Sequence, residues 1–413
     1  MKQRATKISE AIAAWLSNED GLLEQSVTRT IEAELFPYHD VVHMLDQVAQ
    51  SVTGTTLTRW TEKADSNIRN HVTLCLHAGN LPMVGLQDLV ATLLSGGCYY
   101  GKLSRKDPWL MDGLLRVIRK RLPAQVGQWH VQMDELAGIR ADNILFAGSE
   151  GSVKAVTRRC HHQNLADANT RFLYRTARFS MAWLTEQDFD SQCRLRPNVC
   201  RLLIEAMLRY EGRGCRSVAV IVAPHQLMAS ADVLQEGIER FHEKNPPSRA
   251  ETPGAGYWKS YLRSMERPVI EAGPLTLTDD PEMAGREDMI SWLSDSETES
   301  KVRDIAKKFG RQLQQVYVTD PAKYQSGETG SGESHSGETG SSESGLGESQ
   351  PGKTRFEATQ SGKTASGKEV FTGDGPVAGF LRLDYLRCAQ SPPIDWQPDG
   401  VDVLEWLQSE SSP

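Results

Sequence analysis

Apolar positions in the first 68 residues recur at helical spacing and are interrupted at Gly21, Pro37 and Gly54. That spacing predicts several amphipathic helices. Beyond residue 70 the pattern changes. The short apolar run HVTLCLHAG predicts a strand, Pro82 opens the helical stretch MVGLQDLVATLLSGG, and CYYGKLS predicts a second strand. PWLMDGLLRVIRK then reads as a helix, NILFAG as a strand and EGSVKAVTRRC as a helix. Strands alternating with helices at intervals of about thirty residues predict βαβ units and a parallel sheet.

A second block begins near residue 185. RPNVCRLLIEAMLRY reads as a helix ended by Gly212, and SVAVIVAP as a buried strand closed by Pro224. Helical patterns then run to position 310 through Pro-rich and Gly-rich turns, and QQVYVTD predicts another strand. The tract 325–368 is made largely of Ser, Gly, Glu and Thr with near-repeats of SGETG. It lacks the apolar surface needed to offset the entropy of ordering, so disorder is expected there. Ordered-looking sequence resumes near Val370 and ends in GVDVLEWL.

Composition narrows the class. A chain of 413 residues suits two domains, and 39% hydrophobic with 24% charged residues is a globular composition. The net charge of −8 argues against a nucleic-acid partner. The cluster Arg116, Arg119, Lys120 and Arg121 reads as a solvated helix face. The N-terminus is basic, but its apolar run is short and contains Glu10, so it is not expected to be a signal peptide. No stretch has the length needed to span a bilayer. The seven cysteines form no CxxC pair and are expected to be reduced thiols in a cytoplasm. His161 and His162 have no partner at metal-ligand spacing, so no metal is expected.

Four segments carry candidate chemistry. In YEGRGCRSVAVIVAP, Cys215 sits in a Gly-rich turn before a buried strand, with Arg213 and Arg216 beside it. Neighbouring cations favour a thiolate, which can attack a carbonyl or thioester carbon. The alternative is a buried structural cysteine. In CLHAGNLPMVG, Asn80 can aim its amide at a developing oxyanion, or simply serve the turn. Lys102 ends a predicted strand, where α/β proteins bind ligands. Gly148 and Ser149 lie between a strand and a helix N-terminus suited to a phosphate. GESQPGKT, at 347–354, matches the phosphate-loop pattern formally, but neither a preceding strand nor a following helix is expected around it.

Taken in order, HAGNLP, YGKLSRKDP, LFAGSEGSVKAV and EGRGCRSVAVIVAP resemble the LuxC-like acyl-CoA reductase family, within the aldehyde dehydrogenase superfamily. The likeness spans roughly residues 70–225 and returns at 273–279 and in the tail AQSPPIDWQPDGVDVLEWL. It implies an α/β, aldehyde dehydrogenase-like fold with the active site in a crevice between two domains. The expected organisation is N-terminal helices and a Rossmann-like cofactor domain over 1–184 and a catalytic domain over 185–324. The insertion 325–368 and a completing segment 369–413 follow. Carried over, Cys215 is the nucleophile and Asn80 the oxyanion donor. Lys102 and Ser104 lie beside the adenosine ribose, and Gly148 and Ser149 beside the pyrophosphate.

The implied reaction is reduction of acyl-CoA, or another activated acyl group, through a thioester on Cys215 to a fatty aldehyde. An acyl-activating enzyme is a candidate partner, and a homo-oligomer is expected. Arg105 and Lys106 stand where NAD-preferring relatives often place a Glu, so Arg105 is expected to hold a 2′-phosphate and the cofactor to be NADPH. Hydrolytic aldehyde dehydrogenases carry a Glu-Leu-Gly-Gly segment whose Glu activates water. The matching stretch here, FLYRTARFSM, has no acidic residue, which favours an acylating or reductive enzyme. It also lacks the glycines, which leaves cofactor contacts around Arg175–Arg178 open. The tail departs as well, with WQPD where the family has an aromatic-Ala-Asp run before GVD. The competing readings are an aldehyde dehydrogenase forming an acid or acyl-CoA, and a catalytically silent scaffold of the same fold.

Overall fold

The structure, a computed structural model, describes residues 2–64, 70–321 and 383–409. The tract 325–368, the phosphate-loop match at 347–354 and the start of the stretch resuming at Val370, up to 382, lie outside the described residues. Four helices come first: α1 (Lys2–Leu16), α2 (Leu22–Glu32), α3 (Tyr38–Ser51) and α4 (Gly54–Lys63). They break where the sequence places its interruptions. Gly21 precedes α2, Pro37 precedes α3, and Thr53 caps α4 by accepting from the Thr56 N–H at 3.2 Å.

The first sheet holds β1 (Val72–Leu76), β2 (Cys98–Lys102), β3 (Val126–His130), β4 (Asn143–Ala147) and β5 (Arg171–Arg175). All pairs are parallel, in the order β3-β2-β1-β4-β5. Its connecting helices are α5 (Leu86–Ser95), α6 (Trp109–Arg121) and α7 (Glu150–His162). Along α5 every residue except Gln87 is buried, because the helix lies between the sheet and the N-terminal helices. The basic end of α6 is a paired surface: Lys120 reaches Asp20 at 2.8 Å, Arg121 reaches Glu19 at 3.3 Å and Arg119 covers the Trp129 ring.

The second sheet has seven strands: β6 (Phe179–Trp183), β7 (Val218–Ala223), β8 (Ile270–Ala272), β9 (Leu275–Thr278), β10 (Met289–Ser294), β11 (Leu313–Val318) and β12 (Leu383–Tyr385). Their order is β12-β11-β6-β7-β10-β9-β8, parallel apart from the β8–β9 pair. Separate apolar cores fill its two faces, one of them under α8 (Pro197–Leu208) and α9 (Ala231–Lys244) and the other under α11 (Thr298–Phe309), while α10 (Pro253–Ser264) packs beside β9. The helical reading of 225–310 is therefore corrected, since β8, β9 and β10 lie within it. LTLT alternates hydroxyl and apolar side chains, yet both kinds are buried, and in MISWLS the Ser291 hydroxyl is buried and donates to the Asp280 carbonyl at 3.1 Å. Strands β3 and β5 were not expected either. They are sheet edges, only part-buried, and carry polar side chains that hide a strand pattern.

Only Thr176, Ala177 and Arg178 separate β5, in the first sheet, from β6, in the second. The chain returns near its end, where α12 (Val403–Gln408) packs on α5. Gln87 Nε2 donates to the Ile394 carbonyl at 2.8 Å, Trp60 Nε1 donates to Asp402 Oδ1 at 3.0 Å, and Arg171 stacks over Trp406. The tail thereby completes the core of the N-terminal half, as the apolar spacing of VLEWL requires. Among the described residues no helix is long and apolar enough to cross a membrane.

His77, just past β1, offers a pH test of this packing. Its Nε2 shares a 2.7 Å hydrogen bond with the Tyr99 hydroxyl, its Nδ1 has no partner, and burial pushes its pKa down to about 3. The folded protein thus keeps His77 neutral while the unfolded chain protonates it near 6.5. Stability is complete above that value and drains as pH falls toward 3, by up to ~1.4 kcal/mol per pH unit. His77→Gln should flatten this slope in denaturant titrations across the window. Equal slopes in the two proteins would reject the assignment.

Candidate active site

The carboxyl ends of the first sheet face the amino ends of the second across a cleft of 1170 Å³. All seven residues singled out from sequence line it: Asn80, Lys102, Ser104, Arg105, Gly148, Ser149 and Cys215. Their convergence follows from the topology. Asn80 follows β1, Lys102 ends β2 with Ser104 and Arg105 after it, and Gly148 and Ser149 sit between β4 and α7. In a parallel sheet these turns all emerge on one side. Cys215 arrives from the opposite half, just ahead of β7.

The turn carrying Cys215 is unusual. Helix α8 stops at Leu208, and Tyr210, Glu211 and Gly212 all adopt left-handed backbone, with φ of 56°, 53° and 71°. Glycine takes this conformation freely, whereas the two residues before it are strained. Surrounding contacts hold them. The buried Glu211 carboxylate accepts from the Ser248 N–H at 2.6 Å, the Arg249 N–H at 3.1 Å and Arg213 Nη2 at 2.7 Å. The Tyr210 hydroxyl bonds His43 Nδ1 at 2.9 Å, and Arg213 Nη1 donates to the Leu35 carbonyl at 2.8 Å. The N-terminal helices therefore brace the cysteine loop, a role that helical periodicity alone does not reveal.

Asn80 joins the two halves directly, since its Nδ2 donates to the Arg213 carbonyl at 2.9 Å. A primary amide carries two N–H groups, so one remains for a ligand. The expectation that Arg213 and Arg216 hold Cys215 as a thiolate is corrected. Burial pushes the thiol above its ordinary value and outweighs the opposing pull of Arg216; Asp399 adds to the rise. Arg213 is already engaged with Glu211. Cys215 therefore rests as a thiol at neutral pH.

Charge in the cleft is one-sided. Among the described residues nine lysines and arginines line it against four carboxylates, in a chain of net charge −8. Two of those carboxylates are occupied. Asp288 pairs with Arg249, and Asp399 Oδ2 accepts from the Thr176 N–H at 2.9 Å. Arg175 is buried and paired with Asp88 of α5, which answers what the arginines of FLYRTARFSM do: one is a core ion pair, while Arg178 is exposed at the cleft edge. The Lys102 ammonium makes no hydrogen bond or ion pair among the described residues, and burial lowers its pKa. Arg105 is exposed, with Nη2 donating to the neutral Gln132 Oε1 at 2.9 Å. The Ser149 hydroxyl bonds that of Ser152 at 2.6 Å, at the opening of α7.

The sequence alone missed Asp399, Trp396 and Arg175 as parts of the cleft wall. The first two stand in the WQPD departure from the family pattern, which was the available signal.

No protein-family model and no curated protein sequence matches the chain. Solved structures do match in fold. An oxidoreductase from Marinobacter aquaeolei aligns over 78% of this chain and 74% of its own, at 14% identity and a TM-score of 0.55. The aldehyde dehydrogenase KauB from Pseudomonas aeruginosa aligns over 77% and 71%, at 13% identity and 0.55. A mutant of the P. syringae indole-3-acetaldehyde dehydrogenase AldA, in complex with NAD+ and IAA, aligns over 77% and 71%, at 12% identity and 0.52. The fold is aldehyde dehydrogenase-like, α/β with one fully parallel sheet and one mixed sheet, as the sequence resemblance implies.

Proposed function

We propose that the protein is a nicotinamide-dependent acyl-CoA reductase that carries its acyl group as a thioester on Cys215. The observation that carries this reading is the meeting of Cys215 and Asn80 in one cation-lined cleft, with the strand-end turns of the parallel sheet opposite. The donor set fits a dinucleotide. Lys102 is unengaged, Ser104 and Arg105 follow it, and Gly148 and Ser149 open a helix whose first N–H groups favour phosphate. When bound, the reduced nicotinamide supplies hydride to the acyl carbon.

The chain's own residues do the rest. The Cys215 sulfur bonds the thioester carbonyl carbon, the carbon–sulfur bond to CoA breaks, and the Cys215 proton leaves with the CoA thiol. Asn80 offers its free N–H to the oxyanion formed on the way. No carboxylate in 172–181 stands ready to activate water, and Asp399 is tied down by the Thr176 N–H. That favours release as an aldehyde over hydrolysis to an acid. The domain roles follow, with the first sheet holding cofactor and the second the nucleophile.

Intact mass spectrometry tests the reading. Incubation with an acyl-CoA should add one acyl group, mapped to Cys215, and NADPH should then discharge it. A mass that stays unchanged, or an adduct on another residue, rejects it.

Cofactor choice is a further expectation. Arg105 has no carboxylate partner and can turn from Gln132 to a 2′-phosphate. A charged hydrogen bond contributes roughly 1.5–3 kcal/mol, so NADPH should be preferred by about tenfold or more. Arg105→Glu should reverse the ratio of kcat/KM for NADPH and NADH, and an unchanged ratio would clear Arg105 of the role.

A further inference from the structure

Arg216 is 8% exposed, lines the cleft next to Cys215, and lies over the Trp396 ring at 5.3 Å. Among the described residues its guanidinium has no hydrogen-bond acceptor and no carboxylate partner. This sets it apart from the other deeply set arginines of the region. Arg175 has Asp88, and the 7% exposed Arg209 has Glu205, Asp40 and Asn245. The titratable side chains whose charge states respond to Arg216 include Cys215, Tyr210, Tyr317 and His43. All four are neutral at pH 7: burial raises the two tyrosines and the thiol and pushes His43 down to about 4. The Arg216 nitrogens keep access to the cleft, so an unpartnered positive charge is presented there to any anion the cleft admits.

We infer that Arg216, stacked on Trp396, forms a subsite for an oxyanion, a carboxylate or phosphate, carried by the acyl substrate close to its reacting carbonyl. With its guanidinium carbon over the indole ring and its side chain on the cleft wall, Arg216 can offer paired N–H donors to a carboxylate or phosphate. The inference rests on the reading of Cys215 as the acyl acceptor and names the substrate class that the acceptor meets. The anion belongs either to the acyl group, as a second carboxylate, or to the phosphorylated carrier.

Iodoacetate and iodoacetamide, alike in size and different in charge, test this on the full chain without turnover. Alkylation is read site by site by peptide mass spectrometry, with the exposed Cys193 as internal reference. The rate ratio of iodoacetate to iodoacetamide at Cys215 should exceed that at Cys193 by about tenfold, the scale of one charged hydrogen bond. It should fall to the reference value in Arg216→Met and largely survive in Arg216→Lys. Slowing of iodoacetamide by butanoate assigns the subsite to the acyl group, whereas slowing by inorganic pyrophosphate alone assigns it to the carrier. A wild-type ratio equal to that at Cys193, or one unmoved by Arg216→Met, overturns the subsite and leaves Cys215 a reachable nucleophile. The wild-type comparison decides the matter even if Arg216→Met does not fold. No alkylation of Cys215 by either reagent overturns the nucleophile and the subsite together.

Discussion

Alanine at position 215 should abolish acyl-thioester reduction, lowering turnover by roughly four orders of magnitude or more, the usual cost of removing a covalent nucleophile. The fold should survive, because Cys215 is only part-buried and its turn is held by Glu211, Tyr210 and Arg213 and not by the thiol. Cofactor affinity should also survive, since Lys102, Ser104, Gly148 and Ser149 belong to the other sheet. Three measurements on Cys215→Ala separate these claims: NADPH oxidation with acyl-CoA, the acyl adduct by mass, and cofactor binding by fluorescence. Turnover within tenfold of wild type would remove Cys215 from the reaction.

The second large effect concerns stability. Asp88→Ala should cost about 3–5 kcal/mol, because it leaves the Arg175 guanidinium buried without its counter-charge. The side chains of Arg175 and Asp88 are 10% and 6% exposed, so water replaces the missing partner poorly. Asp88 Oδ1 and Arg175 Nε already lack partners, which leaves the contact between them as the main compensation for burying both charges. Replacing the pair together, Asp88→Leu with Arg175→Met, should recover most of the loss. Denaturant unfolding of the three variants checks this, and a single-variant loss below about 1 kcal/mol would place the pair in the weak, solvent-screened class.

Much of the fold was legible because its signals were local. Gly21, Pro37 and Gly54 punctuate helices through backbone rules, and the buried strands β1, β4 and β7 are short apolar runs that few other contexts explain. The edge strands β3 and β5 were silent because half-exposed strands have no need of apolar side chains. The strand β9 was masked because its buried hydroxyls mimic a surface pattern. At the cleft, short motifs located seven lining residues, yet the state of Cys215 was misjudged. Adjacent arginines are visible in sequence, while the burial that outweighs them, and the Glu211 that occupies Arg213, are tertiary facts. The brace from His43 and Leu35 was likewise out of reach, joining positions more than 160 residues apart.

The three residues 176–178 are the shortest link between the two halves, and the returning tail touches them through Asp399 and the Thr176 N–H. Gln314, with its amide nitrogen turned to the carboxylate, donates to Asp399 Oδ1 at 2.6 Å and fastens the same spot to β11. Among the described residues, the link 176–178 and the returning tail thus meet at one point of the cleft wall. A body pivoting about such a point moves little near the axis and far at its rim. The bonds of Asn80 to the Arg213 carbonyl and of His43 to the Tyr210 hydroxyl would have to break before the halves could rock about it. The geometry around the Cys215 sulfur is thus held from both halves at once.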